Sequence, residues 1–447
     1  MRRSFTRVLF ARGVGACAVC LFAAGAQASG FALIEQSAGQ MGQAFAGGAA
    51  IADDASTVFF NPAGLTRVPH QFIAGAHLVD TQAKFQGTAH ALDGVTPTTG
   101  GNGNDAGGPS MVPNLYYALP LNPTTFFGLG VNAPFGLSTA YNDTWKGRYL
   151  AVDSYVATLN INPSLAFKVN DAWSVGVGLN AQYIEAKLTQ QVDYGSICVA
   201  AVGLGTCSFL GLLPQQADGL AKVRGNDWSM GFNAGVLFNA SEDTRIGFAY
   251  RSEVQHDLKG RGYFNNAPAA IVSASGGRFT TSDIEASLHL PQTASLSIYH
   301  DLNDRLALMA DATWTGWSSF HRLRIKYDNP AQPDTTVDEN WNDSMRYSIG
   351  ANYRSSANLL LRAGLAFDAT PIPNRTHRTP RIPGEDRVWT SLGFNYAFNP
   401  SVSLDVGYAH LFVKNPKLNY TDENGLNITG SYDAAVDIVS AQLNWNI

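Results

Sequence analysis

Reactive chemistry in a protein needs nucleophiles, bases or ligands at particular spacings, and this chain has the residue types without the spacings. Its serines and nine histidines form no G-x-S-x-G elbow, which would lift a serine hydroxyl above a turn. They form no H-E-x-x-H pair, which would set two imidazoles on one helix face for zinc. Gly128-Leu129-Gly130-Val131-Asn132-Ala133 and the run from Gly176 to Ala181 spell the dinucleotide pattern G-x-G-x-x-A. Both lie in alternating apolar and polar stretches and open no helix, so they are chance matches. The Gly100 to Gly108 run has no Lys or Ser in a phosphate-loop position and reads as a mobile loop. Cys198 and Cys207 stand nine positions apart with no Asp or His beside them, which favours a disulfide over a metal site. No catalytic residue, metal or cofactor is therefore expected, and the chain is not read as an enzyme.

The elements that would position any site follow a period of two. Val439, Ala441, Leu443, Trp445 and Ile447 alternate with Ser440, Gln442, Asn444 and Asn446, and the same alternation runs through 391–398, 347–353, 306–314 and 246–251. A soluble sandwich can show this pattern too. Repetition along the chain and unequal connections separate the two. Short turns are expected at Asn122-Pro123, Asn170-Asp171, Ser241 to Asp243, Asn303-Asp304, Ser355 to Ala357 and Asn399-Pro400. Longer connections lie near 86–110, 140–149, 190–223, 258–282, 327–340, 372–386 and 415–433. Short turns on one rim and long loops on the other define an outer-membrane barrel, here an antiparallel β-barrel of about 14 strands over 70–447. Charged residues are only 15%, aromatics reach 11%, and no apolar run after residue 30 is long enough for a membrane helix.

Such a barrel has a lumen too wide for its own side chains to fill. Residues 29–69 are expected to be a small helical hatch inside it. Gly39, Gly42, Gly47 and Gly48 suit close packing, while Phe31, Leu33, Ile51 and Phe59 make a disordered periplasmic tail the poorer reading. Asp53-Asp54 are expected to cap a short helix, and Asn61-Pro62 to turn the chain.

Residues 1–28 read as a secretory signal. Arg2, Arg3, Arg7 and Arg12 precede an apolar stretch and Ala26-Gln27-Ala28 ends it, with Ser29 the expected first residue after cleavage. Val14 to Cys17 resembles a lipoprotein box only weakly, because Arg12 interrupts the run before it. Of 30 basic residues, 26 remain after loss of those four arginines, against 35 acidic, a formal charge of −9. Nucleic acid is not an expected partner.

Ser29-Gly30-Phe31, Ile51 to Ala55 leading to Asn61-Pro62-Ala63, Ala133-Pro134-Phe135-Gly136-Leu137, and Gly147 to Tyr149 running on to Leu159 through Ser164 resemble the outer-membrane long-chain fatty acid transporter (FadL) family. The resemblance implies a monomeric barrel in the bacterial outer membrane, closed by its N-terminal hatch. It would take up hydrophobic molecules passively, long-chain fatty acids first and aromatic or other hydrocarbons as the alternative, among membrane lipids and lipopolysaccharide. It also implies a ligand pocket at Ser29, Gly30 and Phe31, with Leu33 and Asn61-Pro62-Ala63 in the hatch. Two other classes stay open: a polar porin, which conducts ions steadily, and a lipid hydrolase. One departure is the last residue, Ile447, where such barrels commonly end in an aromatic.

The family's kinked third strand has a physical basis here. Pro134 lacks an N–H and Gly136 is permissive, so Asn132, Ala133, Pro134, Phe135 and Gly136 are expected to bend inward and open a lateral exit. An ordinary bulge is the alternative. A carboxylate ligand would need a cation, and Arg148, Lys187, Lys222 and Arg224 lie near expected outer strand ends; none is singled out by the sequence, and Arg148 is carried forward as a candidate partner. The apolar 190–223 connection reads either as a capture surface or as a loop packed around its own disulfide.

Overall fold

The computed structural model describes residues 30–91 and 93–447; the expected signal segment and Ser29 lie outside them. One sheet of fourteen antiparallel strands closes on itself. The strands are β1 Gln71–His90, β2 Gly108–Asn122, β3 Thr125–Asn132 continued by Gly136–Ala140, β4 Asp153–Lys168, and β5 Trp173–Asp193. Next come β6 Asp218–Asn239, β7 Thr244–Arg251 with Val254–Phe264, β8 Ser282–Leu290 with Thr293–Asn303, and β9 Leu306–Thr315 with Arg322–Tyr327. The last are β10 Thr335–Asp338 with Ser344–Arg354, β11 Leu359–Asp368, β12 Arg387–Asn399, β13 Val402–Val413 with Lys417–Thr421, and β14 Asn427–Asn446. Closure is the pairing of β14 with β1, from Gln71↔Asn446 to His90↔Asn427. No edge is left there to recruit another chain.

The alternation faces the way a bilayer demands. Val439 and Trp445 are 51% and 53% exposed, while Ser440 and Gln442 between them are 0% and 1%. Apolar residues point out and polar ones in, the reverse of a soluble sandwich. Phe248, Ile298, Leu308 and Ile349 continue the apolar belt. Farther toward the long-loop side the outward face becomes charged, with cross-strand pairs Arg261–Asp283 (3.1 Å), Lys259–Glu285 (3.6 Å) and Arg322–Asp338 (2.6 Å). The strands thus rise out of the apolar layer, which corrects the expected loops. The 86–110 connection shrinks to 91–107. In place of a 415–433 loop the hairpin Lys417–Thr421 and Asn427–Asn446 turns at 422–426. Sequence marks where apolar residues stop, whereas the hydrogen-bond ladder goes on. The Gly100 to Gly108 run is not loose either: Lys146 N–H donates to Gly101 O (3.0 Å), and Gly103 packs against Tyr141 and Trp145.

Residues 30–69 pack within the ring as α1 Ala38–Met41, α2 Thr57–Phe60 and a 3-10 turn, Pro62–Arg67. The wall holds them at many points. Arg346 Nη2 donates to Ala44 O (2.7 Å), Arg245 Nη2 to Ile51 O (3.2 Å), and Arg251 Nη2 to Phe59 O (3.0 Å). Arg362 pairs with Asp405 and reaches Asp53 at 3.6 Å. The acidic pair does not cap α2, whose N-cap is Ser56. Asp54 instead accepts from Ser56 N–H (2.8 Å) and from Gln442 Nε2 (2.9 Å), because wall donors surround it. Asn61 does turn the chain: its Oδ1 accepts from Ala63 N–H (3.0 Å), and its Nδ2 donates to Ala49 O (2.7 Å) and Val236 O (3.0 Å).

Close approach of segment and wall depends on missing side chains. A Cβ on Gly364 would collide with the Gln43 carbonyl and Ala44 nitrogen. Gly364→Val is compatible with a strand but not with the seated segment, and overpacking of this kind costs about 1–3 kcal/mol. The expected result is a folded barrel whose ionic conductance in planar bilayers rises above that of the parent; unchanged conductance would contradict this packing.

Candidate functional site

The third strand carries the main irregularity. Below it, β3 pairs on both sides, Leu115↔Val131 with β2 and Asn132↔Asn160 with β4. Above it, Gly136 faces Ala157, so three residues, Ala133 to Phe135, oppose only Thr158 and Leu159. One extra residue is a bulge, and Pro134 brings no N–H to repair it. Toward β2 the ladder simply ends at Leu115, leaving Gly108 to Asn114 paired with β1 alone. Ala140 N–H donating to Ala106 O (2.9 Å) closes the top. The wall is therefore split between β2 and the outer half of β3.

The freed backbone groups turn inward and are met by the start of the described chain. Leu33 N–H donates to Pro134 O (2.8 Å), Gly136 N–H to Phe31 O (2.9 Å), and Gln36 Nε2 to Ala133 O (2.8 Å). Phe135 N–H finds Thr158 Oγ1 at 3.0 Å. Gly30 precedes this contact at φ +63, with Trp317 and Trp341 where a side chain would go. Phe31 then stands in an aromatic cage: Trp317 at 4.9 Å, Phe320 at 5.7 Å, and Phe135 and Trp341 at 6.0 Å between ring centroids. Trp317 and Phe320 arrive because β9 leaves its ladder between Thr315 and Arg322, letting the chain dip into the lumen.

Of three cavities among the described residues, two touch this cage and one lies outside it. An outer vestibule of about 340 Å³ is bordered by Tyr149, Ile197, Arg278, Phe279, Tyr327 and Tyr420. It shares Leu188, Val223, Leu323, Ile325 and Arg381 with a narrower apolar cavity of about 80 Å³ whose inner end is Phe31 and Leu137. Beyond the cage, a third of about 130 Å³ is lined by Ala32, Leu33, Ile34, Phe59, Pro134 and Phe135 beside the split strand. The narrow cavity is mostly aliphatic and aromatic, the composition of a site for an apolar small molecule, whereas the vestibule adds Asp193, Asp334, Asp422 and Glu423 and the third cavity Arg251, Asp311, Arg346 and Asp368.

Sequence-based candidates fall out unevenly. Gly30, Phe31, Leu33 and Asn132 to Gly136 come together at the split; Asn61 and Ala63 sit against β6, and Pro62 borders the third cavity. Arg148 is held by the protein. Its Nε pairs with Asp218 (2.9 Å), its Nη1 donates to Thr99 O (2.6 Å), and its Nη2 to Tyr149 Oη (2.7 Å), so its donors are committed to the protein. The cause is burial, since an arginine with 5% of its side chain exposed needs fixed partners. Cys198 and Cys207 are bonded at 2.01 Å and pack with Tyr194, Ile271 and Phe279, so this loop partly covers itself. Phe209 and Leu204 at its tip stay exposed. Sequence reading missed the inward arginines 245, 251, 346 and 362, although each occupies a polar-phase position of its strand. It also missed Trp317, Phe320, Trp341 and Arg381, which lie in breaks and connections where no period applies.

A closed barrel, apolar outside, split on one side and holding cavities that lead to the split, has the architecture of an outer-membrane transport protein. Residues 19–446 match the family model described as outer membrane protein transport protein (OMPP1/FadL/TodX). The chain is 33% identical over 440 residues to the long-chain fatty acid transport protein of Escherichia coli O157:H7, covering 92% of this chain and 94% of that one. Among solved structures it is similar to a Pseudomonas aeruginosa FadL homologue, with TM-score 0.85 and 27% identity over 93% of this chain and 99% of the other. The Pseudomonas putida toluene transporter TodX shares the fold at TM-score 0.67 and 16% identity, over 94% and 100%. The chain belongs to the OMPP1/FadL/TodX family of outer-membrane transport proteins. It is a transporter and not an enzyme, and its place is the bacterial outer membrane.

Proposed function

We propose that this protein takes up long-chain fatty acids passively and releases them sideways through the split between β2 and β3. Residues 29–69 act as a plug that stays seated, so substrate passes around it rather than through its place. The observation that carries this reading is the inward-turned bulge at Ala133 to Phe135, capped by Phe31 and Leu33 through two backbone hydrogen bonds. An apolar molecule in the third cavity borders that bulge, and the adjoining edge of β2 has no strand to pair with. Leaving into lipid spares the substrate a crossing of water, which for apolar surface costs roughly 25 cal/mol per Å².

The working unit is a monomer, for a closed sheet needs no second copy, and its charged outer collar faces lipopolysaccharide. Aromatic hydrocarbons are the second cargo, favoured by the cage around Phe31 and by the fold shared with TodX. Oleate uptake by cells carrying this protein as their one such transporter tests the reading. Uptake should exceed that of empty cells and persist without a proton gradient; loss on dissipating the gradient would exclude passive transport.

A further inference from the structure

We propose that Pro109 and Pro113 hold the split open: they remove two N–H donors from the edge of β2 that faces it, leaving a lip that lipid can border and that resists pairing with β3 or with an added strand. The proposal rests on lateral release as read above and names residues that keep the way out from zipping shut. Both are positioning residues, acting on the wall rather than on the substrate.

The direction of each backbone group on β2 follows from one contact. Gly108 N–H donates to Thr81 Oγ1 (3.2 Å) and Gly108 O accepts from the same hydroxyl (3.3 Å), so Gly108 faces β1. Backbone groups alternate between the two sides of an antiparallel strand, and the β1–β2 register runs without a shift from Thr81↔Gly108 to Gln71↔Ala118. Ser110, Val112 and Asn114 therefore also face β1, while Pro109, Met111 and Pro113 face the split. Of the three donors that this edge could carry, proline deletes two, and Met111 N–H remains. Met111 and its β1 partner Leu78 are both exposed, which places the edge in the apolar belt. Lipid offers nothing to an orphan N–H, and a carbonyl left unpaired is the better tolerated of the two groups. On the other lip, Gly136 N–H is taken by Phe31 O (2.9 Å) and Ala140 N–H by Ala106 O (2.9 Å), with Ser138 between them. Proline is otherwise scarce in the wall. The described strands hold four, Pro109, Pro113 and Pro120 in β2 and Pro163 in β4. Pro163 shows what a proline needs inside a paired ladder: the β4–β5 pairing skips Asn162 and Pro163, and Asn162 Nδ2 donates to Leu179 O (2.7 Å) in place of the missing N–H. Pro109 and Pro113 need no such stand-in, because no described strand presents an acceptor to them.

The test restores the donors. Pro109→Val/Pro113→Val keeps an apolar strand surface and adds two N–H groups, which lipid penalises until β3 swings over to accept them. Oleate uptake should fall about 10- to 100-fold, the cost of an unpaired buried donor expressed as a ratio. Met111→Cys/Ser138→Cys reads the same change in the wall itself. Met111 is exposed, and Ser138 points outward between the buried Leu137 and Thr139, so the two cysteines stand on opposite lips. A disulfide needs Cα atoms closer than about 7 Å. With both prolines in place the pair should stay reduced under oxidant; with valines it should cross-link. Pro120→Val, below the split where β2 already pairs with β3, should keep parental uptake. Parental uptake in the double valine variant, with an intact barrel on gels, would overturn the proposal. So would cross-linking with the prolines present, loss of uptake without cross-linking, or an equal loss in Pro120→Val. Should the double variant fail to assemble, Pro109→Val and Pro113→Val singly carry the same test, each with a smaller drop. Deleting Pro134 separates the two readings. If uptake survives that deletion as well, lateral release itself fails; if the deletion abolishes uptake and the valine variant leaves it whole, only the role given to Pro109 and Pro113 does.

Discussion

Deleting Pro134 alone is expected to abolish uptake while leaving a folded barrel. The register explains why one residue suffices. Three residues of β3 oppose two of β4, so removing one brings Phe135 opposite Thr158 and Ala133 opposite Leu159. The pleat keeps its phase, because Asn132↔Asn160 below and Gly136↔Ala157 above are already in the register that a continuous ladder needs. A straightened β3 then lies against the unpaired edge from Gly108 to Asn114 and seals the wall. It also withdraws the acceptor at Pro134 that Leu33 uses. Heat-modifiable migration on gels should show an intact barrel, and oleate uptake should drop to that of cells lacking the protein. Uptake at the parental rate would mean that the split is no exit.

The second large effect is expected at Arg362. Its guanidinium bridges Asp405 of β13 and Asp53 of the plug, with only 5% of its side chain exposed. Arg362→Leu leaves two carboxylates facing each other without a counter-ion. Removing one partner of a buried pair costs about 3–5 kcal/mol. The fully buried contact, to Asp405, lies within the wall, while the contact to Asp53, whose side chain is 39% exposed, is the part that holds the plug; the β11–β12 and β12–β13 ladders do not involve the side chain. The expected outcome is a barrel that still assembles but conducts ions, with partial resealing in Arg362→Leu/Asp405→Asn, where one of the opposed charges is gone. A tightly sealed single variant would show that the plug does not depend on this bridge.

Much of this architecture is legible in the sequence. Every expected short turn is found between strands, because Asn, Asp, Ser and Pro mark a turn by local chemistry alone. Alternation placed Ser440, Gln442 and Asn444 on one face correctly, but could not say that the face held a plug. Outer strand limits were misjudged where apolar residues gave way to the Arg261–Asp283 and Lys259–Glu285 pairs while the ladder continued. Pro134 announced a break, yet that it takes one extra residue is a property of register, which needs both strands. Asn61 read as a turn residue; its hydrogen bond to Val236 of β6 is tertiary. That Asp218 holds Arg148 is likewise tertiary, for a sequence shows that a cation exists and not what pairs with it. Arg381 borders two cavities from an aperiodic connection, where no period marks it.

Whether substrate leaves through the wall or through the space the plug occupies can be decided by locking the plug. A Cβ built on Gly350 lies 3.0 Å from that of Ala46 and 2.9 Å from the Gln43 carbonyl oxygen, so a separation of about half an ångström brings the pair to the roughly 3.5–4.5 Å a disulfide spans, and Ala46→Cys/Gly350→Cys then ties the plug to β10. Oleate uptake by the oxidised double variant is the measurement. Lateral release predicts parental uptake with the bridge closed; uptake that vanishes on oxidation and returns with reductant would show that the plug must move out of the lumen.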